Sequence, residues 1–428
     1  MHITILAVGS RGDVQPYVAL GLGLQEAGHV VRLVAADFFE TFVKSQGLDF
    51  FPINTFGLLE AGGEAHTTMA TTIDRAGQLR QLWTNFRALL PALQQTQESV
   101  WQASQGTQAI IFSSIGTSAY HVAEKLEIPC VWALTVPMFG RTRAHPNPLL
   151  PALALGRGYN LLTYTFVERF WRQLLGRLSN SWRRTRLGLP PIPLYRWPYT
   201  QLHGRPVPML YCYSPAVAPK PSDWGEQVHV TGYWFLDHAS DWQPPADLIR
   251  FLESGPPPIY VGFGSMISRK AEETTRITLD GLKQSGQRGV IATGWGALSQ
   301  SDLPNEVFLI ESVPHDWLFP RMAVVVHHGG AGTTGAGLRA GVPSVVVPFG
   351  GDQPFWARRV EALGVGPDPI PRKRLTAARL AHAMQIAATD EAMHTRAAEL
   401  GQTIRAEDGV GNAVRVFDQI IAGGEFVR

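Results

Sequence analysis

The chain has 428 residues, 45% hydrophobic and 17% charged, which is enough apolar material for two or three domains with real cores and excludes a disordered chain. Lysine and arginine (37) nearly balance aspartate and glutamate (35), so the net charge of +2 gives no global reason to expect a nucleic-acid partner. Two cysteines, Cys130 and Cys212, make neither a disulfide framework nor a zinc site, and they point to a reducing compartment.

The opening residues, Met-His-Ile-Thr-Ile-Leu-Ala-Val, carry no basic leader, and the apolar run stops at Arg11. They read as a first strand over 3–8 rather than a signal peptide. A glycine-rich turn follows, then a helix from Val14 to Ala27, with Pro16 near its start and Gly28 just past its end. A second strand covers 30–35. Further strands at 109–113 and 130–136 flank a helix at 117–127. The repeated β-α-β pattern predicts a doubly wound parallel sheet. No uncharged apolar stretch reaches the roughly 18 residues of a spanning helix. The expected location is therefore cytoplasmic, with peripheral membrane contact left open.

Between Arg141 and Arg205 stand eleven arginines, no lysine and one acid, Glu168. Inside this stretch, 165–184 reads as an amphipathic helix. A helical wheel puts Phe166, Val167, Phe170, Trp171, Leu174, Leu175, Leu178 and Trp182 on one stripe, with Arg169, Arg172, Arg177 and Asn180 away from it. Three readings stay open: contact with an anionic membrane surface, the lining of an acceptor pocket, or packing on the helix's own domain. Phe166, Phe170, Trp171 and Trp182 are the acceptor or membrane candidates.

The texture changes at 214–225, Ser-Pro-Ala-Val-Ala-Pro-Lys-Pro-Ser-Asp-Trp-Gly. A first domain over 1–215 and a second over 216–410 are expected, with 411–428 as a helix crossing back to the first. The second series has strands at 258–263, 289–293, 307–310, 323–327 and 344–348, and helices at about 271–285 and 333–340. The fold class is α/β, two Rossmann-like doubly wound domains facing across a cleft. Open sheets of this kind bind ligands beyond the carboxyl ends of their strands.

The segment richest in chemistry is 311–356. A strand ends in His327-His328, then Gly-Gly-Ala-Gly-Thr-Thr-Gly lets the backbone approach a ligand, and Thr333 and Thr334 open a helix. The free N–H groups and positive dipole end of that helix suit an anion, and His328 adds a hydrogen bond. One strand later, Asp352-Gln353 offers acceptors and donors for sugar hydroxyls. The same run contains a literal G-x-G-x-x-G, Gly330 to Gly335, followed about twenty residues on by an acid, Asp352. A nicotinamide-dinucleotide enzyme is thus the rival reading. It would leave the first domain unexplained.

The wording Val-Pro-His-Asp-Trp-Leu-Phe, His-His-Gly-Gly-Ala-Gly-Thr-Thr and Pro-Phe-Gly-Gly-Asp-Gln-Pro-Phe-Trp resembles the donor signature of family one UDP-glycosyltransferases of the GT-B fold. It looks most like the sterol 3β-glucosyltransferase branch. Gly-Ser-Arg-Gly-Asp-Val-Gln-Pro near the start is similar to that branch and to related bacterial natural-product enzymes. The resemblance implies inverting transfer of a hexose, glucose from UDP-glucose first, to a hydroxyl of a hydrophobic acceptor. A sterol or lipid-like alcohol comes first; a macrolide, polyketide or carotenoid is the alternative.

By the same resemblance, Gly264, Ser265, His328, Gly330, Gly332 and Thr333 hold the diphosphate. Asp352 and Gln353 hold the sugar, and Val313 lies near the base. Where the plant signature has a ribose-binding glutamate this chain has Ala336, and the base-stacking tryptophan is replaced near Ser312. Sterol-type enzymes share both changes.

Asp13 is the candidate general base. It sits at a helix start, which keeps a carboxylate ionised, although an Asp there can equally serve as a cap. No acid stands near Ser113, where plant relatives carry a helper. No Asp-x-Asp occurs. His327 and His328 are adjacent on a strand, point to opposite faces and cannot readily share a metal, so no metal or other cofactor is expected. A catalytically dead sugar-nucleotide sensor is a further alternative, against which the intact Asp13 and Asp352-Gln353 argue.

Overall fold

The structure is a computed structural model that describes residues 1–53, 90–239, 241–264, 271–292 and 303–423. Its contacts divide the chain into two units. One comprises Met1–Pro215, Pro219–Leu236 and Asp408–Arg428; the other comprises Ala216–Ala218 and Asp237–Glu407.

The first unit is built on strands β1 (His2–Leu6), β2 (Val30–Ala36), β3 (Asp49–Ile53), β4 (Ala109–Phe112) and β5 (Cys130–Leu134). After a short β6–β7 hairpin (Gln201–Leu202, Arg205–Pro206) come β8 (Met209–Tyr211) and β9 (Val228–Val230). The sheet order is β3-β2-β1-β4-β5-β8-β9, and every neighbour is parallel. β4 and β5 are buried at every residue, which is why they read as unbroken apolar runs. The order reverses direction between β1 and β4, so crossovers leave a crevice at their carboxyl ends.

The helices of this unit include α1 (Arg11–Glu26), α2 (Glu40–Ser45), α3 (Ser118–Leu126) and α4 (Gly156–Trp182). Its core gathers β1, β2 and α1, with Ile3, Ile5, Val18, Leu20 and Leu33 buried together.

The second unit carries β10 (Ile259–Gly262), β11 (Gly289–Ala292), β12 (Val307–Ile310), β13 (Val324–His327) and β14 (Ser344–Val346). They run β12-β11-β10-β13-β14, again all parallel, with the reversal between β10 and β13. Its helices include α5 (Ala246–Glu253), α6 (Ala271–Ser285), α7 (Ala331–Ala340), α8 (Gln353–Ala362), α9 (Ala377–Thr389) and α10 (Glu391–Ala406). Cores form among β10, β13, β14 and α9, and around Tyr260, Leu318 and Phe319.

The proline-rich text places the domain boundary at 215/216, but Pro219–Leu236 packs with the first unit. The reason is β9, which adds to β8 in parallel register as a seventh strand. The last helix, α11 (Gly409–Gly423), also belongs to the first unit and buries Ala413, Val414 and Phe417 in its core. α11 lies close against α1: a Cβ on Gly23 would come within 2.4 Å of Val410.

α4 departs from its helical-wheel reading. The apolar stripe splits, with Val167 and Trp182 buried, Trp171 half-buried, and Phe166 and Phe170 exposed. Arg172 and Glu168, expected in solvent or left unplaced, are buried. The buried face serves two irregular, proline-containing loops whose backbone groups need partners. Asn160 donates to the Arg143 carbonyl (2.9 Å), Thr163 accepts from the Asn147 N–H (2.8 Å), and Tyr164 donates to the Pro137 carbonyl. Asn180 both donates to and accepts from the Ile192 backbone, and Arg172 donates to the same carbonyl. Glu168 pairs with Arg141.

Candidate functional site

Two groups of residues stand at the two points where sheet order reverses. In the first unit, helix α1 starts at Arg11, earlier than its apolar periodicity suggests, so Asp13 is its third residue and Ser10 its cap. Ser10 and Asp13 form a capping box. The Asp13 carboxylate accepts the Ser10 N–H (2.9 Å) and the Ser10 hydroxyl (2.8 Å), both on Oδ2. Among the described residues Oδ1 accepts no bond. Burial pushes the Asp13 carboxyl above its ordinary value, and the two Ser10 bonds pull against that. Of the two roles the sequence left open, the structure shows the cap, closed with Oδ2, while Oδ1 accepts no bond among the described residues.

The loop before it is equally constrained. Gly9 has φ +145°, and a Cβ there would lie 2.5 Å from Asp13 Oδ2, so a side chain at 9 would displace the carboxylate. The amide of Val8 donates to Ser113 Oγ (3.1 Å), tying the β1 loop to the end of β4. Pro16 lies well inside α1 and leaves the Gly12 carbonyl without its helical donor. Ser10, Gly9 and Ser113 are the residues the motif reading missed. The Ser-x-x-Asp spacing of a capping box was the available signal for the first.

In the second unit, β13 ends at His327 and α7 begins at Ala331 with Gly330 as cap. The helix thus opens two residues before Thr333. His327 is fully buried; its Nδ1 accepts the Gly329 N–H (3.0 Å), and burial pushes its pKa down to about 3. It holds the turn. His328 lies on the other face, between two glycines. A Cβ on Gly330 would meet His328 Nε2 at 2.5 Å, and one on Gly264 would meet Cε1 at 3.4 Å. The imidazole leaves no room for a side chain at Gly330, whereas a Cβ at Gly264 would only touch it. Burial lowers its pKa to about 4, with the Gly262 carbonyl opposing, so the ring is neutral at neutral pH. Its Nδ1 is buried and makes no hydrogen bond of ordinary geometry among the described residues.

Beside the ring, the first N–H groups of α7 are free of helical acceptors, as at any helix start. Gly332 is exposed and Thr333 half-buried there, while the hydroxyl of buried Thr334 has no partner among the described residues. Gly264 closes the same corner with φ +61°. Ser265 lies outside the described residues.

Asp352 caps α8, and its Oδ2 accepts the Trp356 Nε1–H (3.0 Å). Gln353 Oε1 accepts the N–H groups of Phe349 (2.7 Å) and Gly350 (3.2 Å), so its carbonyl shapes the loop and its Nε2 is left as the donor. Asp352 stands at the start of α8, beyond the end of β14, rather than at a strand end where a dinucleotide-type acid belongs. Val313 is buried in the core around Tyr260 and Phe319. Among the described residues, no group of three or more His, Cys, Asp or Glu gathers to hold a metal ion. Among the same residues, no helix is long and apolar enough to cross a membrane.

Two family models match the chain. Glycosyltransferase family 28 N-terminal domain covers residues 3–144, and Erythromycin biosynthesis protein CIII-like, C-terminal domain, covers 288–412. The sterol 3-beta-glucosyltransferase UGT80A2 of Arabidopsis thaliana is 39% identical over 97% of this chain and 65% of its own length. The Sterol 3-beta-glucosyltransferase of Cryptococcus neoformans is 39% identical over 97% of this chain, which spans 27% of that relative. The chain therefore spans from about a quarter to just under two thirds of the length of these curated relatives. Among solved structures, the glycotransferase of kitacinnamycin aligns with a TM-score of 0.68 at 20% identity, covering 98% of each chain. The calicheamicin glycosyltransferase CalG4 gives the same score at 18% identity, covering 98% of this chain and 97% of its own. The two all-parallel units and the aligned structures agree on the fold: the chain has the GT-B fold, its first unit matches a glycosyltransferase family 28 N-terminal domain, and it is similar in sequence to sterol 3-beta-glucosyltransferases.

Proposed function

We propose that the chain is an inverting glycosyltransferase that moves glucose from UDP-glucose to the hydroxyl of a sterol or similar lipid-like alcohol. The observation that carries this reading is the His328 corner, where a neutral imidazole, two side-chain-free glycines and the start of α7 converge on space suited to a diphosphate. The named relatives, aligned over 97% of the chain, supply the substrate classes.

In this reading Asp13 Oδ1 takes the proton of the acceptor hydroxyl. That oxygen attacks the anomeric carbon from the face opposite the phosphate, the new C–O bond forms as the bond to UDP breaks, and the configuration inverts. The leaving diphosphate gathers negative charge. The N–H groups of Gly332 and Thr333 and the His328 ring receive it, which is electrostatic stabilisation by groups already in place. Asp352 and the Gln353 amide bind sugar hydroxyls. In this reading the chain's own donors carry the step, which the EDTA arm of the test below examines.

Two exposed apolar side chains support a hydrophobic acceptor. Phe38 follows β2 and Ile115 follows β4, and these strands flank β1, whose loop carries Asp13. The test is a thermal-shift panel with UDP, dTDP and NAD, with and without EDTA, followed by transfer from UDP-glucose to a sterol. Protection by UDP that survives EDTA, with product formed, is expected. Protection by NAD alone would overturn the reading.

A further inference from the structure

α4 is inverted relative to an ordinary amphipathic helix. It buries Asn160, Thr163, Glu168, Arg172 and Ser179, and it turns large apolar side chains to solvent. Leu155 and Leu162 are each 67% exposed, Phe166 61% and Phe170 45%. Leu162, Phe166 and Phe170 recur four residues apart, so they form one stripe running about 12 Å at 1.5 Å per residue, and Leu155 stands at the cap that precedes the helix. Arg169 and Arg177 are exposed along the same side, and Arg157 is exposed in the first turn. The helix's single acid, Glu168, is buried against Arg141, so every charge that α4 shows to solvent is positive.

We propose that this face docks on an anionic lipid bilayer. Leu155, Leu162, Phe166 and Phe170 enter the boundary between headgroups and acyl chains, while Arg169 and Arg177 meet phosphate and carboxylate headgroups. Charge selects the occupant. A second copy of the chain would bring arginines against arginines, whereas an anionic surface complements them. The inference does not rest on the transfer chemistry, and its test uses neither donor nor acceptor.

The full chain is sedimented with vesicles of phosphatidylcholine and with vesicles that also contain phosphatidylserine. Stronger binding to the mixed vesicles, weakened by salt, is expected. Leu162→Ser/Phe166→Ser/Phe170→Ser should lower the partition coefficient by at least about tenfold. Arg169→Glu/Arg177→Glu, which leaves the apolar stripe intact, should abolish the preference for phosphatidylserine. All five positions are exposed or nearly so, so the thermal midpoint should hold for both variants and exclude misfolding. Binding by the serine variant equal to that of the parent would overturn the proposal, as would a parent that ignores phosphatidylserine. A parent that is a dimer by light scattering and becomes monomeric in the serine variant would assign the face to self-association instead and also overturn it.

Discussion

At the end of β1 the chain builds an acceptor, a carboxylate with one oxygen held by Ser10. At the end of β13 it builds donors, an imidazole kept neutral beside a helix start. The two places occupy equivalent positions in sheets of equivalent order. Topology therefore puts the two groups at equivalent points, and a few residues after the strand decide whether acceptors or donors stand there. In the first unit the helix start is used internally, because Asp13 closes its own cap. In the second, glycine occupies the cap position and no side-chain hydrogen bond caps the helix start.

Four changes probe this contrast. Asp13→Asn removes the proton acceptor but keeps the shape, and transfer should fall by about 10²–10⁴ in kcat while UDP binding stays intact, as read by calorimetry. Unchanged turnover would remove Asp13 from the reaction. His328→Ala should act on the opposite pole, weakening UDP by about tenfold through loss of a hydrogen bond to a charged group. Equal affinity in parent and variant would show that the ring faces no phosphate.

The third test is acidity. His121 and His327 are fully buried, with pKa values pushed by burial to about 4 and about 3 from the ordinary 6.5. The unfolded chain therefore takes up protons that the folded chain refuses as pH falls below 6.5. The histidine contribution to stability should be flat above that value and decline below it, by up to about 1.4 kcal/mol per pH unit for each histidine. Denaturant melts at pH 7 and pH 5 measure this, and equal midpoints would mean the rings are charged in the folded state.

The smallest effect belongs to Ser10→Ala, which deletes one of two bonds to Asp13 Oδ2. The loss should raise the Asp13 pKa and move the acid limb of the kcat/KM profile to higher pH, with Ser10→Thr restoring it. A drop in stability with no movement of that limb would confine Ser10 to capping.

Much of the architecture was legible because β1, β4, β5 and β13 are buried runs punctuated by glycine or proline, and such runs leave little choice of structure. The glycosyltransferase resemblance was legible because residues 327–335, His-His-Gly-Gly-Ala-Gly-Thr-Thr-Gly, are an unbroken run of small or hydrogen-bonding types. α4 was misread because periodicity assumes that apolar means inside. Its inner face instead answers carbonyls and amides of loops near 137–147 and 190–192, a demand set by tertiary packing and invisible in a helical wheel. The boundary was misplaced for a related reason. Prolines at 215–221 signal irregular backbone, but not which sheet the next strand, β9, will join.

The return of α11 has a consequence for biosynthesis. Its residues Ala413, Val414 and Phe417 fill the core laid down by β1 and α1, yet the whole second unit is translated between them. Gly409 sits so close to the Tyr233 carbonyl that a side chain there would clash, and Asn412 donates to the Thr231 carbonyl, so the outgoing and returning chain are fastened side by side. A nascent polypeptide can thus complete its second unit first, while the first waits with an unfilled groove along α1. During that interval the groove is where a chaperone would find its apolar surface, and a ribosome stalled before residue 409 would leave it permanently open.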